Sequence, residues 1–129
     1  MASFSQFTAH AWQHPRFGWL MLELEIDPSR WARSVEMAVS TLTPTSALSV
    51  TTRNSLLTLG CLTTLPQRPD RYLLRGAFLN RQPLPDLEVG ISGLAERSGV
   101  GGLLGLNFFQ QFVDVHFHVP ELEFTFAQP

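Results

Sequence analysis

An all-β domain with one short helix near its C-terminal end is the fold class this sequence predicts. Three observations carry the prediction. In the run LMLELEI, Leu22, Leu24 and Ile26 alternate with Glu23 and Glu25. In the tail, Val113, Val115, Phe117 and Val119 alternate with Asp114, His116 and His118; after a turn at Pro120, Leu122, Phe124 and Phe126 alternate with Glu121, Glu123 and Thr125. Between these two regions, short apolar runs are broken repeatedly by Pro, Gly and Asp. A two-residue period places successive side chains on opposite faces of a strand, and those breakers end strands at turns.

The elements follow in order. Residues 1–18 form an aromatic-rich arm that, left exposed, would be a sticky patch, so it is expected to pack on the body of the domain, on a second subunit, or on both. A strand over residues 20–26 leads through a turn at Asp27, Pro28 and Ser29 to a second strand, with Val35, Met37 and Val39 alternating against Glu36 and Ala38. That strand runs into VSTLTPTSALS, a stretch of six hydroxyl side chains and no charge. Residues 49–60 suit a strand and a short helical turn ending at Gly60. Pro66, Gln67, Arg68, Pro69 and Asp70 read as a hairpin tip, and residues 72–78 and 84–91 as the next strands. Residues 98–102 read as a flexible connection, and residues 103–112 as the best helix, with Leu103, Leu106 and Phe109 at helical spacing. The terminal hairpin closes the chain.

The bulk properties agree and exclude several functions. A chain of 129 residues suits a single domain spanning 1–129. With 44% hydrophobic and 16% charged residues it has material for a core and does not resemble a disordered chain. A net charge of −2 without a basic stripe argues against nucleic acid as a partner. The single cysteine, Cys61, excludes an intrachain disulfide and fits a reducing compartment. No apolar run is long enough to span a bilayer, and the N-terminus lacks the pattern of a secretory signal, so a cytoplasmic protein with no membrane partner is expected.

Two short stretches belong together. In the first, Val39-Ser40-Thr41-Leu42-Thr43 follows an apolar strand, and Thr45-Ser46-Ala47-Leu48-Ser49 continues it. In the second, Leu103-Leu104-Gly105-Leu106-Asn107-Phe108-Phe109 combines an apolar pair, Gly, any residue and Asn before a helical run. Together they resemble the retropepsin-like aspartic protease family, with LLTLGC and the tail FVDVHFHVPELEFTF similar to its helical segment and closing hairpin. The resemblance covers about residues 20 to 126. It implies a small closed β-barrel, a homodimer, and a loop that in the family carries Asp-Thr/Ser-Gly-Ala. It also makes the hairpin at Pro66–Gln67–Arg68–Pro69–Asp70 the equivalent of the flap that roofs the groove.

The departure lies in the first stretch, where Ser40 occupies the position of the catalytic aspartate. In the family, two carboxylates, one from each subunit, share a proton because two acids held close cannot both ionise. One takes a proton from water while the other donates to the carbonyl oxygen. A serine hydroxyl does neither, and each acid–base role contributes about 10² to 10⁴-fold. Leu42 replaces the glycine of the tight turn and is expected to crowd the site; Thr43 replaces alanine, and Thr41 is retained and suits a structural hydrogen bond across the dimer axis. Asp27, Asp70, Asp86 and Asp114 do not fit the motif.

Other constellations read as structural. His116 and His118 share a strand face, with Glu121 and Glu123 across the hairpin; zinc uses such sets, but a solvated polar face explains them. His10 and His14 have i, i+4 spacing interrupted by Pro15. No nucleophile elbow surrounds the loop serines, and the glycines of residues 99–105 lack a phosphate-loop lysine. No metal and no cofactor are expected. The reading is a catalytically degenerate domain, a pseudoprotease that dimerises or binds an extended peptide. The alternatives are an active aspartic-type endopeptidase with an unrecognised dyad, and a purely structural dimer module.

Overall fold

The computed structural model describes residues 5–26 and 33–129. The expected turn at Asp27, Pro28 and Ser29 therefore lies outside the described residues. The chain begins with β1 (Gln6–His10), β2 (Trp12–Gln13), β3 (Leu20–Ile26) and β4 (Arg33–Val39). After β5 (Ser46–Leu48) comes helix α1 (Val50–Thr58), then β6 (Leu62–Thr64), β7 (Tyr72–Leu74), β8 (Ala77–Leu79) and β9 (Gln82–Pro83). The last third holds β10 (Leu87–Ile91), α2 (Gly93–Ser98), β11 (Gly102–Leu104), α3 (Leu106–Phe109), β12 (Asp114–His118) and β13 (Glu123–Ala127).

Most strands join one curled sheet, ordered β6-β7-β10-β5-β11-β4-β3-β8-β9, with β2 added on β3. A smaller sheet, β1-β13-β12, closes one end. The all-β class is as expected, and the barrel takes the form of this curled sheet. β3 and β4 form the long antiparallel pair, Met21 opposite Ala38 through Ile26 opposite Arg33. The centre is different. There β11 lies parallel to β4 and antiparallel to β5, while β10 lies parallel to β5. Parallel neighbours bring the ends of β4 and β11 to the same edge. That is how two stretches about sixty residues apart meet.

The core is aliphatic in the large sheet and aromatic under the small one. Leu22, Leu24, Ile26, Met37, Leu79 and Leu104 are essentially inaccessible. Phe126 packs against Phe7, Phe108 and Phe112, at ring separations of 5.1, 6.0 and 4.7 Å. Burying each such ring stabilises the fold by about 1.5–3 kcal/mol, and here it seats the terminal sheet on α3. The aromatic arm accordingly belongs to the domain: β1 pairs with β13 from Gln6–Ala127 to His10–Glu123. No helix among the described residues is long and apolar enough to cross a membrane.

Several sequence expectations are corrected. The strand and helical turn of residues 49–60 become β5, ending at Leu48, and a nine-residue helix. Ser49 caps that helix, accepting a hydrogen bond from the Thr52 N–H at 3.1 Å. Residues 72–78 are two strands, because Gly76 turns the chain with φ 71. Residues 98–102 are not a free connection; Gly99 ends α2, Val100 is buried and Gly102 opens β11. The 103–112 helix shrinks to four residues, since Leu103 and Leu104 are claimed by the sheet. Tertiary pairing overrides the helical spacing there. Val113 and Val119 lie outside the strand and are exposed, so the greasy face of the hairpin is shorter than the alternation suggests.

Candidate functional site

β4 ends at Val39, and the loop of residues 40–45 then folds across the end of β11. Backbone bonds hold it there. The Ser40 N–H donates to Leu104 O at 2.9 Å, the Leu106 N–H to Thr43 O at 2.7 Å, and the Asn107 N–H to Pro44 O at 3.1 Å. Gly105 is the crossing point. A Cβ on it would stand 2.5 Å from the Thr43 carbonyl oxygen and 2.9 Å from the Ser46 nitrogen, a space no side chain can share.

Asn107 joins the two stretches. Its Oδ1 accepts from the Ser46 N–H at 2.7 Å and from the Ser46 hydroxyl at 2.8 Å. Its Nδ2 donates to Glu88 O at 2.8 Å. The Ser46 oxygen in turn accepts from the Gly105 N–H at 2.8 Å. Ser46 is fully buried, so every polar atom in this knot needs its partner. Leu103 and Leu104 sit beside it in β11, both buried. The four residues of the second stretch, Leu103, Leu104, Gly105 and Asn107, are therefore brought together with the loop.

At the loop itself the chemistry is that of hydroxyls. The Ser40 and Thr43 oxygens lie 2.7 Å apart and share a hydrogen bond. Among the described residues, no acidic side chain hydrogen-bonds to either. Thr41 is exposed. Leu42 does not crowd the loop, as its replacement of glycine led one to expect; its side chain is 97% exposed.

Two hollows flank the loop. One, of about 440 Å³, is lined by Thr43, Ser46, Asp70, Arg71, Gly90 and Leu103, among others. The other, of about 180 Å³, is lined by Trp19, Ala38, Ser40, Thr43, Leu94 and Leu103, with Val39. Thr43 and Leu103 are the wall between them. Of the hairpin tip, Asp70 lines the larger hollow. Pro66, Gln67, Arg68, Pro69 and Asp70 connect β6 to β7 as expected, and Asp70 takes the left-handed region at φ 61. The tip is pinned: Arg68 and Arg71 both reach Glu88, at 2.9 and 3.3 Å. Leu94, on α2, was not visible as a site residue. The signal was Ser92 followed by Gly-Leu-Ala-Glu-Arg-Ser and then Gly99, a capped helix too short for periodicity to register.

The histidines stay apart. His116 pairs with Asp114 on its own strand at 2.7 Å, His118 faces Thr125 at 3.4 Å, and His10 lies 3.4 Å from Glu123. His14 is in a turn, not a helix, and its Nδ1 accepts from the Arg16 and Phe17 N–H groups. No group of three or more His, Cys, Asp or Glu residues among those described is arranged to hold a metal ion.

A curled sheet with paired parallel strands at its centre, a loop crossing a Leu-Leu-Gly-x-Asn segment, and a terminal hairpin seated on a short helix define the retropepsin-like aspartic protease fold. A solved structure bears this out. The chain is similar to a retropepsin-like aspartic protease from Rickettsia conorii, with a TM-score of 0.62 and 12% identity over 99% of this chain and 96% of that one. No protein-family model matches the sequence, and no curated protein is significantly similar to it.

Proposed function

We propose that this chain is a catalytically degenerate retropepsin-like domain, a pseudoprotease that works as a homodimer and receives an extended peptide segment. One observation supports the reading: Ser40, at the position the resemblance assigns to the acid, carries a hydroxyl paired with that of Thr43 at 2.7 Å. Two such Ser40–Thr43 pairs across a two-fold axis would supply four hydroxyls and no carboxylate. They can hold water, but a neutral hydroxyl neither takes a proton from it nor lends one to a carbonyl. The hollow of about 440 Å³ under the hairpin supports the binding part of the reading. Residues of β5 and β10 line it; both are interior strands with paired backbones, so an extended peptide would take its main-chain hydrogen bonds from the loops at the rim.

A peptidase is the second reading because of Asp70, a carboxylic acid residue among those lining the same hollow as Thr43. The test is cleavage of a random peptide library between pH 3 and 8, run beside sedimentation of the same sample. The expected result is a dimer without cleavage. Cleavage lost in Ser40→Ala or in Asp70→Asn would overturn the pseudoprotease reading and identify the group responsible.

A further inference from the structure

The smaller hollow and a side chain suited to it stand next to each other in this chain. The hollow, of about 180 Å³, has apolar walls from Trp19, Ala38, Leu94 and Leu103, and Ser40 and Thr43 line it from the loop. Leu42 lies between those two loop residues, so its side chain leaves the backbone at the rim. Yet it is 97% exposed and does not occupy the hollow of its own chain. It cannot turn inward cheaply. The Thr43 N–H donates to Ser40 O at 3.0 Å and the two hydroxyls bond at 2.7 Å, which closes the turn beneath Leu42. Leu94, which lines the hollow, is itself 47% exposed. An exposed leucine beside an unfilled apolar hollow suits a contact site.

We infer that Leu42 inserts into this hollow on a second copy of the chain. The inference rests on the homodimer reading. A two-fold interface must be self-complementary: if residue i meets residue j of the partner, j meets i. A projection on the rim of its own hollow meets that condition, because loops that face each other across the axis bring each projection to the other's hollow. The site is incomplete without the partner, which supplies the leucine. One consequence concerns ligands. The hollow beside Ser40 is then plugged in trans, and the larger one across Thr43 and Leu103 is the space left for a peptide.

The experiment is sedimentation equilibrium on the intact chain, on Leu42→Ser, on Leu94→Ser and on the double variant. Both positions are exposed, so the variants fold; near-ultraviolet circular dichroism checks this. The expected result is a dimer dissociation constant raised at least about tenfold, or about 1.4 kcal/mol, in each single variant. The double variant should lose less than the two together, because both remove one contact. A dimer equally tight in Leu42→Ser, or full additivity, overturns the inference and leaves the homodimer reading standing. A wild-type chain that stays monomeric at every concentration overturns both.

Discussion

Asn107 is the residue on which the site depends most. It was legible as the polar residue ending an apolar-Gly motif, but its partners were not. Three hydrogen bonds, to the Ser46 N–H and hydroxyl and to Glu88 O, converge on one amide. Asn107→Ala leaves a buried N–H, a hydroxyl and a carbonyl to find new partners, each costing about 1–3 kcal/mol when left unmet. We expect a loss of about 3 kcal/mol or more in urea unfolding, partly recovered in Asn107→Asp, which keeps the acceptor and loses the donor. Equal unfolding midpoints for wild type and Asn107→Ala would show that the knot does not hold the loop. Leu42 teaches the opposite lesson. Its identity as a departure from the motif was plain, but whether it fills or leaves the site depended on the loop's path, which local residues do not encode.

At the scale of elements, α1 shows how two segments distant in sequence stabilise one another. Ser49 caps the helix, and Glu96 of α2 accepts from the Thr51 N–H at 3.2 Å and the Thr51 hydroxyl at 2.8 Å. These bonds, the one from the Thr51 N–H foremost, hold the Glu96 carboxyl below its ordinary pKa. A carboxylate whose pKa falls on folding stabilises the fold above its unfolded pKa, and that contribution is lost as pH drops through the folded value. The group is fully exposed, so the effect is small and screened by salt. Glu96→Gln should therefore lower the urea midpoint slightly at pH 7 and leave it unchanged at pH 3. A difference that persists in acid would mean the glutamate acts through packing. The strands with two-residue alternation, β3, β4, β12 and β13, were legible because each is half-buried. β11 was not, because it is buried along its whole length, and an apolar run of three fits a helix as well as a strand.

For the whole molecule, the question is what the proposed dimer of such loops can do. If the proposed loss of the acid is the sole chemical defect, restoring the motif should restore some function. Ser40→Asp with Leu42→Gly puts a carboxylate and a flexible turn at the positions the resemblance assigns to them. Removing Leu42 also loosens the proposed interface, so the variant must be assayed at high protein concentration. Cleavage at acid pH, expected to be absent in wild type, should become measurable, because a homodimer carrying Ser40→Asp regains both acid–base roles, each contributing about 10² to 10⁴-fold. It should grow with the square of protein concentration where monomer prevails. Cleavage linear in concentration, or none at any concentration, would show that the two loops do not form one site.

The sequence by itself determined the all-β class, the two terminal strands and the hairpin tip, and it displayed the hydroxyl-rich loop and the Leu-Leu-Gly-x-Asn segment that a family resemblance set side by side. Alternation, turn residues and motif spacing are local properties, and local properties survive in a list of residues. Only the tertiary structure decided that the 103–112 helix surrenders its first residues to the sheet, that Asn107 ties the loop down through Ser46, and that Leu42 stands clear of the site. Each of those outcomes rests on the pairing of β11 with β4 and β5, and of β5 with β10. Such pairing joins residues far apart in the chain, and nothing in either segment alone specifies its partner.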